Sequence, residues 1–84
     1  MTTFERDALA ALEPLTGALT LTRKSGRLPF LTGPIPGTDL VLYLYGVEAQ
    51  VAGPHVSFRK EEWDYDTPAD SIKDLVAFVS ANLP

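Results

Sequence analysis

Apolar and polar residues alternate through Ala18-Leu19-Thr20-Leu21-Thr22-Arg23, with Leu19 and Leu21 on one side and Thr20 and Thr22 on the other. A period of two marks a strand buried on one face. Lys24-Ser25-Gly26 has the length of a hairpin connection, with a glycine able to take positive φ. Arg27 to Thr32 reads as the return strand. Pro29 inside it suits an edge, because proline cannot donate to a ladder on both sides. Gly33-Pro34-Ile35-Pro36-Gly37 reads as a stiff loop.

The strongest strand pattern is Asp39-Leu40-Val41-Leu42-Tyr43-Leu44-Tyr45, apolar on both faces. A central strand covered on at least one side, with its tyrosines partly wet, accounts for it. Gly46 marks a bulge or a strand end, Val47 to Val51 continues extended, and Ala52-Gly53-Pro54 turns the chain. His55 to Arg59 is the next strand, with Val56 and Phe58 inward. The parity then slips, because Trp63 and Tyr65 are odd-numbered where Val56 and Phe58 are even. A bulge or turn within Lys60-Glu61-Glu62 must intervene if all four side chains enter one core.

Two segments change to a helical period. Residues 3 to 13 place Phe4, Ala8, Ala11, Leu12 and Leu15 near one face, behind a capping-box pattern of Thr2 and Glu5. Pro14 disfavours helical geometry at Glu13 and is expected to end this helix. The second helix opens with Thr67 as N-cap, Pro68 at the first helical position and Asp70 at the third. Its apolar face is Ile72, Leu75, Val76, Val79 and Leu83, with Ser71, Lys73, Asp74 and Ser80 outward.

The predicted order is α-β-β-β-β-α, a single α+β domain over residues 1–84. Three or four antiparallel strands in a meander, with an N-terminal and a C-terminal helix on one face, make a two-layer α/β sandwich. The main alternative is a split arrangement with the first helix at one end of the sheet. Eighty-four residues allow one modest core.

Composition narrows the function classes. There is no cysteine, which removes disulfides, thiolate metal sites and cysteine nucleophiles together. No stretch approaches the roughly 20 apolar residues of a membrane span, and the first residues lack a signal-peptide pattern. A cytoplasmic location is the expectation. The net charge of −4 is unevenly placed. Residues 1–60 carry six basic and five acidic side chains, whereas residues 61–84 carry six acidic and one basic. Direct nucleic-acid binding is therefore not expected.

The catalytic candidates are thin. His55 is the only histidine, so no histidine pair can hold a metal, and no serine neighbours an evident base. Gly33-Pro34-Ile35-Pro36-Gly37 lacks the backbone N–H groups that a phosphate loop needs. Asp64-Tyr65-Asp66 fails as a calcium loop. With Asp64 at position 1, position 6 would be Ala69 and position 12 would be Leu75. No cofactor, no metal and no enzymatic activity are expected.

The feature that remains is Glu61, Glu62, Trp63, Asp64, Tyr65, Asp66, continued by Asp70 and Asp74 on the second helix. It can be an ordinary solvated approach to a helix, with the acids favoured by the helix dipole and both aromatics anchored in the core. It can also be a binding face, since aromatic anchors ringed by charge suit a protein-protein hot spot and clustered carboxylates steer a basic partner. Arg23, Lys24 and Arg27 form a smaller basic surface that reads as a solubility device. The overall character, acidic and cysteine-free with no catalytic set, resembles that of small inhibitors, immunity proteins, antitoxins and phage counter-defence proteins. That likeness rests on no motif. The expectation is a non-enzymatic protein-binding module, of inhibitor or adaptor type, whose partner is another protein with a basic surface. The alternative is a small-molecule-binding module or minor enzyme using Tyr43, Tyr45 and His55 on the sheet face.

Overall fold

A computed structural model describes residues 1–84. Helix α1 (Thr3–Thr16) is followed by strands β1 (Thr22–Lys24), β2 (Phe30–Pro34), β3 (Val41–Tyr45), β4 (Glu48–Ala52) and β5 (Ser57–Glu61), and helix α2 (Pro68–Ala81) closes the chain. The strands form one antiparallel sheet in chain order, β1-β2-β3-β4-β5. The α+β meander between two helices is as expected, with five strands in place of three or four.

The α1 N-terminus forms as its residues dictate. The Thr2 hydroxyl accepts the Glu5 amide at 3.1 Å, and Glu5 Oε1 accepts the Thr2 amide at 2.8 Å. Pro14 does not end the helix. It lies in the last turn, where its missing N–H removes a single bond. That turn is held by the Gly17 amide on the Glu13 carbonyl at 2.8 Å and by the Thr16 hydroxyl on the Leu12 carbonyl at 3.2 Å. Leu15, expected on the apolar face, is exposed.

The first hairpin differs from its pattern. Leu19 and Leu21 do pack against the core, but β1 begins only at Thr22. Gly33 explains this. A Cβ there would strike the Thr20 carbonyl and come within 2.9 Å of Leu21 Cδ2, so only glycine lets the 18–21 segment cross β2 so closely. The supposed stiff loop is in part strand, since β2 runs to Pro34 and Gly33 and Pro34 pair with Leu42 and Val41. Pro34 lies past the last β1 pair, Thr22 with Thr32, where β2 is itself an edge and tolerates proline. Pro29 falls outside the sheet, in the β1–β2 connection.

Leu42 and Leu44 of β3, Ala49 and Val51 of β4 and Leu31 of β2 turn to the helix side. There they meet Phe4, Ala8 and Leu12 of α1 and Ile72, Leu75 and Val79 of α2 in one contiguous core. The helices pack on each other, α2 on β5 and α1 on β4. The other face of the sheet carries no helix.

Two further burial expectations fail. Val56, expected inward, is exposed, while Phe58 packs against Phe78 of α2 with the two rings tilted and their centroids 5.0 Å apart. Ser71, expected outward, is fully buried, because its hydroxyl satisfies the Glu61 carbonyl at 2.7 Å and so can enter the core without a free donor.

Candidate functional site

Glu62 to Thr67 connect β5 to α2, and the connection is fixed at several points. The Glu62 amide donates to the Val47 carbonyl at 2.8 Å, joining the loop to the β3–β4 turn. Asp64 accepts the Glu61 amide on Oδ2 at 2.7 Å, and its own amide returns to the Glu61 carbonyl at 3.2 Å. The buried Ser71 hydroxyl holds the same carbonyl from α2. These bonds close a turn over residues 61–64, after β5 has run without a bulge through Lys60 and Glu61, so the break expected within Lys60-Glu61-Glu62 does not occur there.

The turn does not carry the aromatics inward. Trp63 is 61% exposed and Tyr65 43% exposed, so neither is a core anchor. Tyr65 is nevertheless positioned. Its hydroxyl donates to Asp74 Oδ2 at 2.6 Å, and Lys60 Nζ stands 4.7 Å from its ring centroid and 3.7 Å from the same carboxylate oxygen. Tyr65, and after it Asp74 and Asp64, raise the Lys60 pKa above its ordinary value. Lys60 follows Phe58 by two residues, hence its place on the helix side of β5. That spacing was legible, but a lysine beside glutamates reads as a solvated charge.

The six carboxylates among the eight sequence-predicted residues divide into two groups. Four carboxylates have partners inside the protein. Glu61 Oε1 lies 3.1 Å from Arg59, Asp64 closes the turn, Asp70 accepts the Thr67 hydroxyl at 3.0 Å, and Asp74 holds Tyr65 and Lys60. Thr67 is thus the N-cap residue by position, but its hydroxyl bonds a side chain where a capping box would bond the backbone. Glu62 and Asp66 have no ion pair or side-chain hydrogen bond and flank the exposed Trp63.

On the bare sheet face, Phe30, Tyr43 and Tyr45 form an aromatic cluster, with Phe30 stacked on Tyr45 at 4.9 Å and Tyr43 on Tyr45 at 6.4 Å. Beside it Arg59 pairs with both Glu48 and Glu61, and Gln50 donates to Glu48 at 2.7 Å. The hydrogen bond to Glu48 is the chief reason the Arg59 pKa is raised. His55 is not part of this group. It lies in the β4–β5 turn, at the opposite end of the strands from Tyr45, in a shallow depression with Asn82 and Leu83. The structure therefore does not bring Tyr43, Tyr45 and His55 together.

No three side chains of the metal-binding types converge, and no helix is long and apolar enough to cross a membrane. The chain gives no significant match to any family model, curated protein or solved structure.

Proposed function

We propose that this chain is a non-enzymatic protein-binding module of inhibitor or adaptor type, which engages a partner with a basic surface through the β5–α2 loop. One observation carries the reading: the only tryptophan is mostly exposed on a loop whose backbone is pinned from β3–β4, β5 and α2. A flexible loop would lose conformational entropy on binding, whereas this one is already ordered. Large aromatic side chains ringed by polar groups are the residues that dominate protein-protein affinity. Glu62 and Asp66, free of internal partners, supply charge for steering, and Asp64 and Asp70 add to the local field.

The test is side-by-side capture from a lysate of the source cells. Wild type should retain a basic protein that Trp63→Ala loses, and the double variant Glu62→Lys with Asp66→Lys should retain less of it. A control with Arg23, Lys24 and Arg27 changed to glutamate should retain it fully. Equal capture by wild type and Trp63→Ala would rule the reading out.

A further inference from the structure

We propose that the bare face of the sheet is the interface of a two-fold symmetric dimer, so that its occupant is a second copy of this chain. The proposal concerns a different face from the Trp63 loop and does not depend on it.

Strand register orders the charges on this face. Lys24 pairs with Phe30 at the β1 edge, and Tyr45, Glu48 and Glu61 follow one another across β3, β4 and β5. Residues directly opposite across a ladder share a face. Phe30 stacks on Tyr45, so Lys24 and Glu61 lie on the bare side, at the same end of the strands but at opposite edges. Four strand spacings separate them by about 19 Å. Neither Lys24 nor Arg27 of the adjoining connection makes an ion pair.

A two-fold axis parallel to the strands and above β3 lays β1 of one copy over β5 of the other without reversing the strand ends. Each unpaired Lys24 then faces the partner copy's carboxylate edge, and the contact occurs twice. The same operation superposes β2 on β4. Leu28, 74% exposed in the β1–β2 connection, forms one wall of a depression of about 610 Å³ whose other lining includes Tyr45, Glu48, Gln50 and Arg59. The axis places each Leu28 over the other copy's depression, an isologous knob and hole. Tyr43 and Tyr45 lie on the axis and meet their own copies. Their hydroxyls have no hydrogen-bond partner within the chain, whereas that of Tyr65 does.

The test is the mass in solution by sedimentation and light scattering, with defined variants. Wild type should have twice the chain mass and dissociate on dilution. Leu28→Asp should be monomeric yet folded, because the side chain is exposed. Lys24→Glu and Glu61→Lys should each weaken the dimer by about tenfold, and combining them in one chain should restore it, since each copy then offers the reversed pair. The chain has no cysteine, so Tyr43→Cys should be joined into a covalent dimer by a bismaleimide that spans the roughly 10 Å between facing sheets, while Ala77→Cys on the exposed side of α2 should not. A monomeric mass up to about 1 mM overturns the proposal. So does a dimer indifferent to Leu28→Asp, or a monomeric chain that takes up a foreign peptide on Tyr43 and Tyr45.

Discussion

Glu5 Oε2 accepts the Gly46 amide at 2.8 Å, which ties the first turn of α1 to the β3–β4 turn. The other carboxylate oxygen caps the helix at Thr2, and the Thr2 hydroxyl donates to the Gly46 carbonyl. Gly46 has φ of +68°, a left-handed conformation that glycine adopts without strain. One buried side chain therefore sets both the helix start and its seat on the sheet.

This bond predicts a pH dependence. Burial pushes the Glu5 pKa up, but the Thr2 and Gly46 amides, the Thr2 hydroxyl and Arg23 outweigh it and leave the pKa below the ordinary carboxylate value. A lowered folded pKa means that Glu5 contributes stability above the unfolded value. The contribution fades as pH falls through the unfolded and then the folded pKa. Denaturant melts should show wild type losing stability over that acid range, with Glu5→Gln less stable at neutral pH by about 1–3 kcal/mol and flatter below it. A variant as stable as wild type at neutral pH would remove Glu5 from this role.

Leu42 is fully buried and belongs to the same core as Leu75 and Val79, with Val76 packed at its margin. Leu42→Ala should cost about 2–5 kcal/mol in denaturant melts. A loss below about 1 kcal/mol would mean that β3 is not central.

Gly33→Ala should also destabilise the chain, for a local reason. The new methyl would meet backbone, the Thr20 carbonyl, which cannot turn aside as a side-chain end would. The expected cost is about 1–3 kcal/mol, the range for forced overpacking. Amide exchange should quicken in β1 and β2 before β3 and β4. Uniform quickening across the sheet would contradict this placement.

Much of this architecture was legible. The alternation of Leu40, Leu42 and Leu44, the spacing of Ile72, Leu75 and Val79, and the Thr2–Glu5 cap each depend on local periodicity and local hydrogen bonding. The errors have tertiary causes. Pro14 remained helical because the bonds that hold its turn lie around it. Leu19 and Leu21 kept their alternation outside a strand because Gly33 opened a path for them. Ser71 falls four residues before Leu75, on the apolar stripe, but its burial depends on a carbonyl ten residues away. For the candidate site, parity held the signal. Trp63 and Tyr65 broke step with Phe58, and the structure resolves the break by leaving both exposed. That four of the six carboxylates find partners inside the protein, two of them as ion pairs, could not be read from a string of charges.

Ser71→Ala separates the order of the loop from its chemistry. The change keeps Trp63, Glu62 and Asp66 but frees the Glu61 carbonyl from α2. Partner affinity should fall, with a modest stability loss of about 1 kcal/mol for the lost hydrogen bond. Unchanged affinity would mean that the pinning of the loop is irrelevant to binding.

In the proposed function Trp63 is presented for a partner and contributes little to the fold. The most direct test is one titration of wild type and Trp63→Ala against the purified basic partner, alongside their denaturant melts. Wild type should bind and Trp63→Ala should bind at least about thirtyfold more weakly, as loss of a hot-spot residue worth about 2 kcal/mol implies. The two melts should agree to within about 0.5 kcal/mol, as for other exposed substitutions. Equal affinity would show that Trp63 does not belong to a binding surface, and a large loss of stability with Trp63→Ala would show that it belongs to the fold.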